Sequence, residues 1–360
     1  MGIYKSIGLP WSSGIGTKVD TCTTAREVMN EAKLNFNVSK CQLVADMPID
    51  LFSNNTKAEI ESDNDFIRNG RMYKHIADNY ATYRTDLNIP LGIVKSKYEV
   101  VQNVDAFEFF DEAIGHDKCK WQYAGSFGYG EKIYVAAKIE LTNEINVNGF
   151  KDPIDNYLVF TNTHDGSGSI TIMFTPVRFF CINCLNAGLD RADSYIRIRH
   201  TNSAKDKLHR GAEVLRLACE KAKDAAQLYQ ALTTINMNDT QVLQYICNLN
   251  LTNAEKTALL DYDKHTGYKK LLYKDVNVLE ATGISTRKAN IIYNMFDYYN
   301  SGVAQNNILG TAWGAYNAVT GYFSNVANLE GEKRMESLLY GNGQNITQKA
   351  LNNVIELKAA

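Results

Sequence analysis

Proline and long apolar runs are both scarce in this chain. Only 5 of its 360 residues are proline, which excludes long proline-rich linkers. No stretch of about 18 apolar residues is present, as a membrane-spanning helix requires, and the first residues lack the apolar core of a signal peptide. The seven cysteines are odd in number and scattered along the sequence, unlike a disulfide framework. We therefore expect a globular protein of a reducing cytoplasm, with no membrane segment.

Motifs for nucleotide hydrolysis and for nucleophilic catalysis are also missing. The sequence has no Walker loop, no Gly-x-Gly-x-x-Gly fingerprint and no Gly-x-Ser-x-Gly elbow. The nearest glycine-rich stretch runs from Gly125 to Lys132 and leads into a β-rich run rather than a helix, so we interpret it as a hairpin turn. Lys132 can still reach a phosphate group from such a turn.

Two residue pairs are candidates for chemistry, and each also has a structural interpretation. His164 and Asp165 stand beside two glycines, but a metal site needs three or four ligands, and Asp-Gly between strands is typical of a hairpin. Cys181 and Cys184 form a Cys-x-x-Cys with no partner pair, and cysteine often simply packs in cores. We expect no enzymatic activity, no metal and no cofactor.

The pattern of the chain predicts an α+β fold. Short runs rich in Val, Ile, Tyr, Phe and Thr, typical of strands, dominate residues 36–200, with helices near 23–34 and 105–114. We expect a curved antiparallel sheet with packed helices in a β-rich region, 1–202. Helical spacing follows, which predicts a helical region, 203–340, and a polar C-terminal tail, 341–360. Trp313 and Tyr316 share a helix face, which indicates a core contact.

A basic cluster begins at the last predicted strand. Alternation places Tyr195, Arg197 and Arg199 on one strand face, with Ile196, Ile198 and His200 on the other. From Tyr195 to Lys223 there are eight Lys or Arg and three Asp or Glu, although the whole chain carries a formal net charge of −2. Guanidinium groups bind phosphate through paired N–H bonds, and tyrosine can stack on a base. The alternative is a solvated strand face, paired with carboxylates of a neighbouring strand.

Several stretches of the sequence resemble the phage/plasmid-like protein family, whose function is unknown. The stretches are PWSSGIGTKV, YRTDLNIPLGIVKSKYEVVQNVDAFEFFDEAIG, TNTHDGSGSITIMFTPVRFFCINCLNAGL, IRIRHT and LGTAWGAYNAVTGYFSN. Ser12 and Cys184 depart from the family's pattern. The resemblance implies a mobile genetic element and a bacterial host cytoplasm. The order of a helix, several strands and a helix over residues 104–200 and beyond is also similar, at the level of fold alone, to single-strand annealing proteins of the Rad-fifty-two type.

These observations lead to one expected function and two alternatives. We expect a phage-encoded, non-catalytic nucleic-acid-binding protein of replication or recombination, which binds single-stranded DNA as a homo-oligomer and anneals it as a ring. The candidate binding residues are Lys132, Arg178, Tyr195, Arg197, Arg199, Lys205, Lys207 and Arg210. The first alternative is a structural or host-interaction scaffold that ignores nucleic acid, and the second is an enzyme built on His164 and Asp165 or on the cysteine pair.

Overall fold

The structure is a computed structural model that describes residues 9, 11, 16–48, 65–107, 111, 119–178, 181–182, 195–201, 204, 211–339 and 341–359. Its strands and helices confirm an α+β fold, with an antiparallel sheet, packed helices and a helical region after residue 210. The strands are β1 Gly16–Lys18, β2 Val38–Pro48, β3 Phe66–Arg68, β4 Arg71–Arg84, β5 Ile89–Lys95, β6 Cys119–Phe127, β7 Lys132–Val147, β8 Phe150–Thr163, β9 Ile170–Arg178, β10 Cys181–Ile182 and β11 Tyr195–Ile198.

Helices fill most of the remaining described chain. They are α1 Ala25–Glu31, α2 Gly211–Leu232, α3 Asp239–Asn250, α4 Asn253–Tyr262, α5 Gly267–Leu272, α6 Val276–Thr282, α7 Thr286–Ser301, α8 Ala312–Asn325, α9 Gly331–Leu339 and α10 Asn342–Ala359. Within the described residues, each helix is either too short or too polar to cross a lipid bilayer.

The larger sheet contains seven of the described strands, all antiparallel to their neighbours. Its order is β1-β6-β7-β8-β9-β10, and β11 also pairs with β9. The long β7–β8 hairpin forms its centre, with Lys132 opposite Thr163 at one end and Val147 opposite Phe150 at the other. Val135, Ala136, Val159 and Phe160 are fully buried there, so these two strands form the middle of the hydrophobic core.

A second sheet packs beside the turn between β8 and β9. It has the order β2-β4-β3, and β5 also pairs with β4. Gly92 of β5 lies so close to this turn that an added Cβ would come within 2.3 Å of the Asp165 carbonyl oxygen. Only glycine permits this approach of two backbones. Thr82 Oγ1 also donates a hydrogen bond to the His164 carbonyl oxygen, at 2.6 Å, so two elements of the second sheet hold the turn.

The β-rich region predicted over residues 36–200 includes the segment 97–103, which does not form a strand. Residues 98–102 are in neither a strand nor a helix. The Glu99 N–H donates to the His200 carbonyl oxygen, and side chains make several of the other hydrogen bonds. The Gln102 amide donates to the Val38 carbonyl and accepts from the Val38 N–H, and Tyr98 Oη donates to the Thr163 carbonyl. A further difference from the short runs that we expected is that residues 71–84 form one long strand, β4.

The helical region packs around α8, which is buried at each of its residues. Trp313 and Tyr316 are fully buried, which confirms the predicted core contact. The predicted polar tail is wrong, because most of it forms α10. Leu351 and Val354 of α10 are fully buried, and Tyr245 of α3 donates a hydrogen bond to the Ala350 carbonyl oxygen. α10 is therefore an integral part of the core.

Candidate anion-binding cavity

Side chains from four adjacent strands line a cavity of about 400 Å³ on one face of the larger sheet. Lys132 pairs with Thr163 across β7 and β8, Thr161 pairs with Thr171 across β8 and β9, and Thr171 pairs with Arg197 across β9 and β11. Paired residues of antiparallel strands project to the same face, as do residues two apart on one strand. The register therefore brings two cationic side chains and three threonine hydroxyls to one place.

The rest of the wall comes from a turn and a helix. Ser167, Gly168 and Ser169 lie between β8 and β9, and Gln344 of α10 reaches the cavity from the helical region. The turn is shaped by Asp165, whose carboxylate accepts hydrogen bonds from the N–H and the hydroxyl of Ser167. The Asp165 carboxylate is thus engaged with the turn, and it is not among the residues that line the cavity.

Two of the threonine hydroxyls lack a hydrogen-bond partner. Thr161 and Thr163 are almost completely buried, and neither Oγ1 atom has a partner. A buried hydroxyl without a partner costs roughly 1–3 kcal/mol, so such groups in a protein call for an explanation. An oxygen atom of a bound anion would supply the missing acceptor.

Lys132 is held at the edge of the cavity by an ion pair with the helical region. Its Nζ lies 2.8 Å from Glu336 Oε1 of α9. Burial acts to lower the pKa of Lys132, but the hydrogen bond and the charge of Glu336, with Asp165 and Glu332, outweigh burial and raise that pKa. The ammonium group is therefore charged at neutral pH.

The strand that carries Arg197 has the alternation expected from the sequence. Arg197 and Arg199 are exposed, whereas Ile198 and His200 are buried. Arg199 forms no ion pair within the described residues. Arg197 lines the cavity, but it is not free of interactions. Tyr195 is opposite Met173 in the ladder, and its side chain is not among the described ones.

The other candidate binding residues divide into two groups. Arg178 is a correction: it is buried, its Nε lies 2.6 Å from Asp152 Oδ2, and its Nη2 donates to the Ala304 carbonyl oxygen. A surface ligand cannot reach it, so it belongs to the core. Lys205, Lys207 and Arg210 fall outside the described residues.

His164 and Asp165, the first pair considered for chemistry, do not form a reactive centre. His164 is buried and its Nε2 is 2.8 Å from Asn103 Oδ1, while Asp165 stabilises the turn. Burial, and less strongly the charge of His200, lower the pKa of His164 to about 3, so it is neutral. Cys184 and the side chain of Cys181 fall outside the described part. Among the described residues, no cluster of three or more His, Cys, Asp or Glu side chains is arranged to hold a metal ion.

A larger cleft, of about 960 Å³, adjoins the cavity and shares Lys132 with it. α7 lines one side with Thr286, Arg287, Asn290 and Asn294, and α9 lines another with Lys333, Glu336 and Ser337. Tyr322 and Phe323 of α8 also contribute to the lining. Neither Arg287 nor Lys333 forms an ion pair within the part of the chain that the structure describes, so the cleft contains cations beyond the one that Glu336 neutralises.

Sequence reasoning missed the threonines and, apart from Lys132, the residues that line the cleft. A signal for the threonines was present, because Thr161 and Thr163 stand two apart in one strand and Thr171 and Thr175 lie in the next, as a polar row on a β-strand requires. A signal for the cleft was the polar stripe of Arg287, Asn290 and Asn294 at helical spacing.

The fold and the site define an α+β protein with a basic, hydroxyl-lined cavity between its sheet and its helical region. The sequence profile of a domain of unknown function, DUF932, matches residues 90–350. The match covers well over half of the chain, so the chain belongs to this family. It includes all of the cavity and the cleft described above. Comparison with curated proteins and with solved structures finds no match.

Proposed function

We propose that this protein is a non-catalytic binder of single-stranded nucleic acid, whose backbone phosphates occupy the Lys132–Arg197 cavity. The observation that carries the proposal is the pair of buried hydroxyls, Thr161 and Thr163, that have no partner beside two cationic side chains. Phosphate oxygens accept hydrogen bonds from hydroxyl, ammonium and guanidinium groups alike.

A polymer fits this surface better than an isolated phosphate does. Arg199 is exposed two residues beyond Arg197, just after the end of β11, and Lys132 links the cavity to the cleft with Arg287 and Lys333. Cationic groups therefore continue on both sides of the cavity. Evenly spread cations that neutralise successive phosphates are the usual basis of strand binding without sequence preference.

The biological setting of the proposal rests on sequence resemblance. The stretches shared with the phage/plasmid-like family favour a mobile-element protein that acts in replication or recombination in a bacterial cytoplasm. The fold-level similarity to single-strand annealing proteins favours an oligomer that pairs complementary strands. The mobile-element setting and the annealing activity both presuppose that the protein binds single strands, which the following experiment tests.

Fluorescence anisotropy with a labelled single-stranded oligonucleotide tests the proposal. In 50 mM salt, where screening is weak, we expect saturable binding that weakens as salt is added. Arg197→Ala should reduce the slope of log K against log salt by roughly 0.7, the value for one lost phosphate contact on a single strand. A flat titration of the native protein at 50 mM salt would overturn the proposal.

The matched control is Lys151→Ala. Lys151 is an exposed cation paired with Glu144, and it lies at the opposite end of the β7–β8 hairpin from Lys132. Its loss changes the total charge by the same amount as Arg197→Ala. If both variants weaken binding equally, the effect is one of net charge, and the cavity is not the site.

A structural or host-interaction role is the second candidate. It is favoured by the short strand β3, where Phe66 and Ile67 are 44% and 48% exposed, since exposed apolar side chains on an edge strand are typical of contact surfaces. Light scattering separates the two functions. A scaffold keeps one oligomeric mass with or without oligonucleotide, whereas a strand-binding protein gains mass from it.

A further inference from the structure

The cleft beside the cavity contains amide side chains whose hydrogen-bonding groups are unused. Asn290 and Asn294 lie one turn apart on α7, both are half-buried, and both line the cleft. Neither side chain forms a hydrogen bond within the described residues. Asn250, which lines the same cleft, differs because its amide nitrogen donates to the Ile246 carbonyl oxygen and to Met295 Sδ. α7 therefore presents two uncommitted amides, side by side, to the cleft.

A side-chain amide places a donor and an acceptor next to each other. This arrangement matches the edge of a nucleobase, which also has adjacent donors and acceptors, and an asparagine can bind such an edge through two bonds. Bases expose these edges when a strand is unpaired and its bases are unstacked. The two amides can therefore contact the exposed base edges of a single strand, whereas cationic groups alone contact only its phosphates.

The size and charge of the cleft agree with this type of ligand. Pockets for small organic ligands usually measure about 300–1,000 Å³, and the cleft is at the upper end of that range at about 960 Å³. Its charged lining consists of three cationic groups, Lys132, Arg287 and Lys333, and one anionic group, Glu336. An anionic ligand with a polar, planar part suits such a lining.

Two aromatic side chains also line the cleft. Tyr322 and Phe323 of α8 contact each other edge to face, with ring centroids 5.1 Å apart, and both line the cleft. Burial raises the pKa of Tyr322, and the nearby charge of Arg287 opposes that effect without cancelling it. Tyr322 is therefore a neutral phenol close to a guanidinium group, and both groups can contact the rim or the face of a base.

We infer that the α7–α9 cleft takes bases of an unstacked strand, with Asn290 and Asn294 contacting base edges while a neighbouring phosphate occupies the Lys132–Arg197 cavity. This inference rests on the proposed function and adds base selectivity to it. Lys132 is the link, because it lines both spaces. The bases then lie on the helical side of Lys132 and the phosphate on the sheet side.

Competition against one labelled oligonucleotide tests the inference. The competitors are unlabelled dA, dC and dT homopolymers of equal length, and an abasic phosphodiester chain of the same length. For the native protein we expect the best and the worst homopolymer to differ by at least about fivefold, since one two-bond amide contact has this size of effect. We expect the abasic chain to bind about tenfold more weakly than the best homopolymer.

The double variant Asn290→Ala, Asn294→Ala should remove the selectivity and keep the phosphate contacts. We expect its affinities for the three homopolymers to become equal, while its affinity for the abasic chain stays at the native value. The matched control is Asn277→Ala on α6, an exposed asparagine that does not line the cleft. This control should retain the native order of affinities.

The possible outcomes distinguish a failure of the base inference from a failure of the proposed strand binding. If the native protein binds all four competitors equally, the base inference is wrong and strand binding through phosphates stands. If it binds none of them at 50 mM salt, the proposed function fails as well. Ultraviolet cross-linking with bromouracil in the strand gives a measurement without variants: adducts on α7 or α8 support the inference, and adducts on β11 alone overturn it.

Discussion

Lys132 on the sheet and Glu336 on α9 are joined by an ion pair of 2.8 Å across 204 positions of the sequence. The contact lies where the cavity meets the cleft, because Lys132 lines both. This ion pair favours the folded structure but opposes the proposed binding of phosphate. It connects the sheet to the helical region, and it also places a carboxylate beside the proposed path of the phosphates.

Replacing this carboxylate with an amide should strengthen binding. We expect Glu336→Gln to increase affinity for single-stranded DNA about twofold to tenfold at 50 mM salt, because it removes a repelling charge and leaves Lys132 without a paired anion. Stability should change by less than about 1 kcal/mol, since both partners are partly exposed. Anisotropy and urea unfolding measure the two quantities.

The control for this variant is Glu140→Gln. Glu140 is paired with Lys120 at 3.1 Å, on the same sheet, and lines neither the cavity nor the cleft. The Glu140→Gln change alters only the net charge at a distance from the site, where salt screens it. Affinity should therefore stay within about twofold of the native value. An unchanged or lower affinity of a folded Glu336→Gln protein would contradict the role given to Lys132.

The buried ion pair of Arg178 and Asp152 is expected to affect stability and leave binding alone. Asp152 Oδ2 accepts from Arg178 Nε at 2.6 Å and from Trp313 Nε1 at 2.8 Å. Arg178→Met leaves a buried carboxylate without its counter-charge, which costs about 3–5 kcal/mol. Trp313→Phe removes one hydrogen bond to the same carboxylate and should cost less. Urea unfolding ranks the two variants.

The affinity of the folded Arg178→Met protein for nucleic acid shows whether Arg178 only stabilises the core or also contacts the ligand. Because Arg178 is buried, we expect the folded fraction of Arg178→Met, measured at low temperature, to bind single-stranded DNA with the native affinity. If the affinity falls by more than the unfolded fraction of the variant accounts for, Arg178 contributes to binding and the core interpretation is wrong.

Local patterns in the sequence predicted local structure well. α1 lies within the helix predicted near residues 23–34, where Thr24 caps its start and Glu27 completes a capping box. The alternation of Ile198 and His200 with Arg197 and Arg199 holds in the structure. In each case the decisive interaction lies within a few residues of the sequence, so the pattern contains the information that is needed.

Features that depend on distant contacts were not predictable. The segment 97–103 has strand-forming residues, but the Gln102 amide occupies the bonds of Val38, 64 positions away, and no ladder forms. The residues of α10 were interpreted as a tail, because few are strongly apolar and their burial depends on contacts such as that of Tyr245 with Ala350. The cavity needs the register of four strands, which no single stretch reveals.

Two buried histidines should make stability depend on pH below neutrality. Burial lowers the pKa of His164 to about 3 and that of His200 to about 4, below the ordinary value of about 6.5. Between these values the unfolded chain binds more protons than the folded one. Stability is therefore complete above about pH 6.5 and falls as the pH decreases toward 4, by up to about 1.4 kcal/mol per pH unit for each histidine.

Urea unfolding at pH 7.5, 6 and 5 checks this dependence. The variant His164→Gln removes one titrating group, and its amide can keep the hydrogen bond to Asn103. We expect the free energy of unfolding of this variant to fall less steeply between pH 6.5 and 5 than that of the native protein. Carboxylates titrate in both proteins alike, so equal slopes would mean that His164 is not held neutral by burial.

Thr161→Val should stabilise the free protein and weaken its binding of nucleic acid. Thr161 Oγ1 is buried without a partner, so replacing it with a methyl group removes an unpaid desolvation cost of about 1–3 kcal/mol. The same hydroxyl is a proposed donor to phosphate, so affinity for single-stranded DNA should fall about threefold to tenfold, as for one lost hydrogen bond.

Thr175→Val is the matched control, because Thr175 Oγ1 is also buried without a partner and does not line the cavity. We expect this control to gain stability and to keep native affinity. Thermal unfolding and anisotropy measure both effects, and equal affinities of the two variants would show that the unpartnered hydroxyl of Thr161 does not serve a ligand.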